Sequence, residues 1–370
     1  MRQSPPRTRA LSHAKETPSP DLSPAEPTVY SDALLLTTLL KTVSRSFYLT
    51  LRVLPKTTRP AISIAYLLAR AADTLADTSI IASKQRLQLL RQLKAVLHST
   101  ATTTFTTFTL EVLSSVPNLQ ERELLQALPH VFTLLLRQPE RDQQAIRHVV
   151  ALLIDGMIID LTTFPTAAGS APHPLPHDSD LEEYLYQVAG CVGGFWTEVA
   201  AAHGEPFKAA LATQHELGIC YGKALQLTNI LRDLPKDLRM GRCYLPGVQL
   251  RQYRLTVAEL LDPNNSVRTE PLLQHYLDKT LAYYQAAQLY LFNIPRRSLR
   301  HRLAVLWPQL IGLATLAKLA HHPRWLDPTT PAKVSRRWIY TMLLLSLPAV
   351  LSNTLLRGWL GWLHKQVHKE

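Results

Sequence analysis

From Ser31 to about Leu260, apolar residues recur at the spacing of helices. Leu34-Leu35-Leu36 with Leu39-Leu40, Leu87-Leu89-Leu90-Leu93 and Val149-Val150-Leu152-Leu153 each describe one face of such a helix, and core packing accounts for them. Breaks fall at Leu54-Pro55, around Ser115-Val116-Pro117 and across the Pro/Gly/Ser-rich stretch from Phe164 to Pro176. Further helical segments are predicted over about Pro271 to Leu291 and His301 to Ala320. No run of alternating Val, Ile and Thr appears, and glycine is scarce at 13 residues, so helices are favoured over sheets. The pattern predicts an all-α chain.

The two ends depart from this pattern. Residues 1–28 are rich in Pro, Ser, Thr and Arg, lack an apolar period and are expected to be disordered; without an apolar h-region they do not read as a secretory signal. Residues 29–330 make up the expected catalytic domain, and residues 331–370 a basic segment followed by a hydrophobic helix. Trp338 to Leu356 is apolar over about a spanning length, interrupted by Ser346, Pro348, Ser352, Asn353 and Thr354. Arg336, Arg337, Arg357, Lys365 and the tryptophans 338, 359 and 362 flank it, as at a membrane interface. Membrane lipids are therefore expected partners, by spanning or by lying flat, with a buried terminal helix as the other reading.

Charge and cysteines narrow the class. The formal charge of +12 calls for an anionic partner, which a polyphosphate, a membrane surface or nucleic acid would satisfy; nucleic acid is not expected here. Cys191, Cys220 and Cys243 lie far apart, which fits neither a disulfide framework nor a zinc site and suits a reducing intracellular compartment.

Two segments carry candidate chemistry. In a helix, Tyr66, Arg70, Asp73 and Asp77 fall within an arc of roughly 60°. An aspartate pair at i, i+4 repels itself, so its place among Ala, Leu and Ile asks for a cation; a solvated polar stripe is the plain alternative. Gln226, Asn229, Arg232, Asp233 and Asp237 form a second such face, with Pro235 expected to kink the chain before Asp237. Oxygen ligands without His or Cys suit Mg²⁺. Two such helices across an apolar cavity would bind and ionise a diphosphate, with Arg45, Arg70 and Arg232 holding its oxygens. Tyr66 and Phe47 are the candidate aromatic faces for a carbocation.

Ser44-Arg45-Ser46-Phe47, Tyr66-x3-Arg70-x2-Asp73-x3-Asp77, Val188-Ala189-Gly190-Cys191-Val192-Gly193, Gln226-x2-Asn229-x2-Arg232-Asp233-x3-Asp237 and Gly241-Arg242-Cys243-Tyr244-Leu245-Pro246 resemble, in order and spacing, the squalene/phytoene synthase family. Asp155-Gly156-Met157 with Asp160 looks like a further family helix. The resemblance implies the all-α isoprenoid synthase fold, a helical bundle around a central cavity. It implies Mg²⁺ on Asp73, Asp77, Asn229, Asp233 and Asp237. Catalytic roles would fall to Tyr66, Arg70, Asp73, Asp77, Tyr184, Asp233 and Asp237, and substrate binding to Ser44, Arg45, Phe47, Arg70, Gln226, Asn229, Arg232 and Arg242.

Asp73-Thr-Leu-Ala-Asp77 is more similar to the squalene synthases of the family than to its phytoene synthases, whose motif reads D-E-L-V-D. The segment from Ile311 to Ala317, with Lys333, Arg336 and Arg337, is similar to the one through which squalene synthases engage NADPH; a membrane-flanking basic patch is its other reading. The implied substrate is farnesyl diphosphate, the implied state a monomer, and the implied place intracellular, at a membrane. Non-reductive phytoene, dehydrosqualene or hydroxysqualene synthesis is the nearest alternative, and a silent membrane-bound assembly factor a more distant one. One departure stands out: Gln187 occupies the position before V-A-G where eukaryotic squalene synthases carry a tyrosine.

Overall fold

The computed structural model describes residues 30–44, 47–98, 113, 115–164 and 172–368. Residues 1–28 and Arg45 therefore lie outside the described residues.

The chain is a succession of helices. A π-helical turn (Leu34–Leu39) leads into α1 (Leu40–Ser44), followed by α2 (Phe47–Val53), α3 (Arg59–Asp77) and α4 (Ser83–Leu97). Next come α5 (Leu119–Leu136), α6 (Glu140–Thr163), the short strand β1 (His173–Leu175), α7 (Asp178–Leu185) and α8 (Cys191–Ala202). The long α9 (Leu211–Arg239) is followed by β2 (Arg242–Pro246), α10 (Gly247–Gln252) and α11 (Val257–Leu261). Then α12 (Glu270–Asn293), α13 (Leu299–Ala320), α14 (Arg336–Ala349) and α15 (Asn353–Lys365) complete the described chain.

Two apolar cores hold this bundle. One gathers α1 to α6 around Leu67, Leu68, Leu90, Leu125 and Ile154; the other gathers α9, α12 and α13 around Leu227, Leu231, Tyr284 and Leu313. Between them, α8 presses on α9 with almost no side chain between. A Cβ on Gly193 would come within 1.8 Å of the Gly218 carbonyl oxygen, and one on Gly222 within 2.1 Å of the Ala189 carbonyl oxygen. The V-A-G-x-V-G stretch thus buries backbone against backbone, and it does so through a second π-helical turn, Tyr186–Gly190. Strands β1 and β2 pair in parallel, with His173 opposite Arg242, and this ribbon fixes the start of β2 beside the C-terminal end of α9.

The tail differs from a single apolar helix. The run from Trp338 to Leu356 is split: α14 ends at Ala349, just past Pro348, and the Ser352 hydroxyl accepts from the Leu355 N–H to start α15. Proline weakens the last turn and serine caps the next helix, so neither half reaches spanning length. Their inner faces, Met342, Ala349, Leu356, Leu360 and Leu363, lie in the same core as α12 and α13. Among the described residues, the helix long and apolar enough to cross a membrane is α13, with mean hydropathy 1.5, and most of it is buried as a core helix.

Candidate active site

A cavity of about 460 Å³ opens between the two cores, within the usual range for a small-molecule pocket. Its lining is overwhelmingly apolar and comes from α2, α3, α6, α8, α9, α12 and α13. Phe47 and Tyr66 stack at 5.3 Å on one wall. Trp196, Tyr221 and Tyr290 are further aromatic residues of its lining. The hydroxyl of Tyr221 donates to the Val305 carbonyl (2.7 Å) and that of Tyr290 accepts from Thr197 (3.0 Å), so these rings turn carbon faces, not hydroxyls, to the cavity's contents. These three aromatics carry no motif and were not legible in the sequence.

Both acidic helices reach this cavity. Ala69 and Tyr66 of α3 and Gln226 and Asn229 of α9 are part of its wall, and Asp73, Asp77, Asp233 and Asp237 continue the same two faces beyond it. Helix α9 is continuous through Pro235, and Asp237 follows Asp233 one turn later within it. Arg239 donates to the Pro235 carbonyl at 2.6 Å, occupying an acceptor in that last turn.

The carboxylates are crowded. Burial and then the charge of Asp77 raise the Asp73 carboxyl to about 6, against the pull of Arg70. Its side chain is 38% accessible, so solvent tempers that shift. Burial and then Asp233 raise Asp237 to about 6. Arginines answer this crowding: Arg70 bonds both Asp73 and Glu121, and Arg232 bonds Asp233 (Nε to Oδ1, 2.9 Å). Glu121, at the start of α5, belongs to no recognised motif and was missed in the sequence.

Arg242 joins the two sides. Burial would weaken its charge, but Tyr244, Asp160, Asp77 and Asp237 raise its pKa above the ordinary value. One guanidinium is thus in electrostatic reach of carboxylates on α3, α6 and α9 together. Behind it, Asp160 accepts from the Tyr184 hydroxyl (3.1 Å), and the Tyr184 and Tyr244 rings stack at 4.7 Å. Burial raises Asp160 to about 7, and its Oδ1 is buried without a partner among the described residues. Tyr184 is therefore part of the support beneath Arg242 and does not line the cavity.

The donor set fits Mg²⁺. It is all oxygen, and burial together with a neighbouring aspartate raises Asp73 and Asp237, so that a bound cation would favour their charged forms. Among the described residues no three His, Cys, Asp or Glu stand close enough to hold a metal by themselves. Such an arrangement suits an ion that takes one or two carboxylates and completes its shell with water and substrate phosphate.

The remaining predicted residues divide. Gln226 and Asn229 are in place on the wall. The Ser44 hydroxyl is turned back to the Leu40 carbonyl and does not face the cavity. Gln187 donates to Glu183 at 2.7 Å and is not on the wall. Lys333, Arg336 and Arg337 are exposed, without a carboxylate partner among the described residues. The segment leading to them passes the end of α9, where Arg239 helps, after the Thr329 hydrogen bonds, to hold Asp327 low.

Comparison with known proteins agrees with this architecture. The squalene/phytoene synthase family profile matches residues 40–338. A squalene synthase of Schizosaccharomyces pombe is 26% identical over 285 residues, covering 77% of this chain and 59% of that protein. A bifunctional lycopene cyclase/phytoene synthase of Phaeosphaeria nodorum is 30% identical over 265 residues, covering 69% and 41%. This chain thus spans well under two thirds of the length of either. Among solved structures, TcSQS in complex with the ligand BPH1237 shares the fold at a TM-score of 0.73 and 22% identity, covering 90% of each chain. A dehydrosqualene synthase shares it at 0.58 and 22%, covering 89% of this chain and 95% of the other. With a profile match across most of its length and the fold to go with it, the chain belongs to the squalene/phytoene synthase family, a family of all-α prenyltransferases.

Proposed function

We propose that the chain is a squalene synthase, joining two farnesyl diphosphates head to head through presqualene diphosphate and reducing the product with NADPH. The observation that carries the reading is one apolar cavity walled by both motif helices, with Tyr66 and Ala69 of α3 and Gln226 and Asn229 of α9 in its lining. Mg²⁺ bound by Asp73, Asp77, Asn229, Asp233 and Asp237 would neutralise the diphosphate and make it a good leaving group.

The chain's own residues do the rest. Arg70, Arg232 and Arg242 now answer carboxylates and can exchange them for diphosphate oxygens. The apolar walls keep water from the allylic cation left when the first C1–O bond breaks, and the Phe47, Tyr66 and Trp196 rings offer it their faces. The second substrate's double bond attacks that carbon, and the proton lost on ring closure passes to the departing diphosphate. Tyr184, on Asp160, holds the Tyr244 ring and through it the floor beneath Arg242. Lys333, Arg336 and Arg337 would hold the 2′-phosphate of NADPH, which supplies the final hydride. The three free cysteines suit a reducing intracellular compartment, and the C-terminal segment would associate with a membrane. The enzyme would act as a monomer.

A second reading, non-reductive synthesis by the same first half-reaction, draws on Gln187 at the position before V-A-G and on the phytoene synthases among the relatives. A silent assembly factor is disfavoured by the retention of both acidic motifs. The ratio of diphosphate released to NADPH oxidised decides between the enzymes. Squalene synthesis releases two diphosphates per NADPH; diphosphate release without NADPH oxidation would select the non-reductive reading, and no release would reject both.

A further inference from the structure

The tail helices are apolar on two sides. Their inner sides pack in the core, as Leu356, Leu360 and Leu363 show. Their outer sides are apolar as well: Tyr340, Leu344, Leu347, Leu351, Leu355 and Trp362 are between 53% and 69% exposed. At helical spacing Tyr340, Leu344 and Leu347 fall within roughly 60° of arc, so α14 presents them as one stripe. Soluble surfaces seldom leave so many large apolar side chains together in water.

The charge along this segment is mostly of one sign, although Asp278 of α12 lies 3.9 Å from the His368 ring at its end. From Pro328 to Lys369 the chain carries Lys333, Arg336, Arg337, Arg357, Lys365 and Lys369 and no aspartate or glutamate. Trp362 of α15, 53% exposed, adds an amphipathic ring of the kind that occupies a lipid headgroup layer, while Trp338 and Trp359 pack against the core. The face also lies close to the chemistry. Helix α14 packs on α13, where Trp307 donates to the Ser346 hydroxyl at 2.9 Å, and the neighbouring Val305 and Pro308 of α13 line the cavity.

We infer that the outer face of α14 and α15 docks in the plane of an anionic lipid bilayer, with the helices lying flat and neither of them crossing it. Their buried inner faces forbid insertion without unfolding the core, and the excess of cations along the segment favours anionic headgroups. A bilayer one helix away from the cavity would receive an apolar product directly. This deepens the membrane association proposed above and rests on that reading; it does not depend on which prenyl product forms.

The test is flotation of the full chain with phosphatidylcholine vesicles, with and without phosphatidylserine. Binding should require phosphatidylserine and weaken as salt rises. Leu344→Gln with Leu347→Gln should weaken it by at least about tenfold, while melting temperature and diphosphate release in detergent stay as in the wild type. Absence of the wild type from both kinds of vesicle would remove membrane association itself. Equal binding by wild type and variant would leave the association standing and overturn the in-plane face. A dimer that the variant dissolves, with no vesicle binding, would make the face a contact between copies and equally overturn the proposal.

Discussion

Asp73, Asp237 and Asp160 hold protons to about pH 6, 6 and 7, against an ordinary value of 3.8. Between that value and about 7 the folded chain binds more protons than the unfolded one, so stability falls as pH rises through this window. Glu182 shifts the other way, to about 2: burial opposes the shift, but hydrogen bonds from Lys279, Tyr283 and Lys223 prevail, and its stabilisation is already complete by pH 5. The metal-free protein should therefore melt at a lower temperature at pH 8 than at pH 5.5 on account of these carboxyls. Asp160→Asn with Asp237→Asn should flatten that slope in thermal scans; an unchanged slope would contradict the crowding argument. Direct metal ligation further predicts that Asp73→Asn or Asp233→Asn lowers turnover by about 10³-fold with helicity intact, as loss of several kcal/mol of charge stabilisation implies. Near-normal rates would remove the metal assignment. At this scale the motif residues were legible because charge inside an apolar helix is conspicuous. Glu121 was not, and Tyr244, though inside a recognised motif, had no role assigned, since both act through contacts with Arg70 and Tyr184 made across the fold.

Helices α8 and α9 meet where glycines remove the side chains between them, so the element scale has its own sensitivity. Gly222→Ala would force a methyl into the Ala189 carbonyl and should cost about 1–3 kcal/mol, read as a lowered denaturation midpoint. Leu360→Ala, at a fully buried position on α15, should cost about 2–5 kcal/mol. A removable anchor would instead tolerate it. The helices of the bundle follow from hydrophobic period, and α12 and α13 emerge close to their expected bounds. The tail misleads because an apolar run reads the same whether its partner is lipid or core. The sequence already marks Pro348 and Ser352 as interruptions; the fold adds that the chain breaks there and that Leu356 and Leu363 are buried. Pro235 does not end α9, which continues to Arg239.

Across the whole molecule, two cores flank one cavity whose wall includes both motif helices, α3 and α9, with Arg242 in electrostatic reach of Asp77 and Asp237. Five ordered motifs were enough to anticipate that arrangement, whereas the aromatic wall of Trp196, Tyr221 and Tyr290 depends on helix rotation that periodicity alone does not fix. The measurement that tests the arrangement most directly is mass spectrometry of the products formed from farnesyl diphosphate and Mg²⁺, with and without NADPH. The account predicts a C30 hydrocarbon with NADPH, and presqualene diphosphate or its C30 derivatives without it, all lost when Mg²⁺ is chelated. Only C15 products, or turnover that survives chelation, would contradict it.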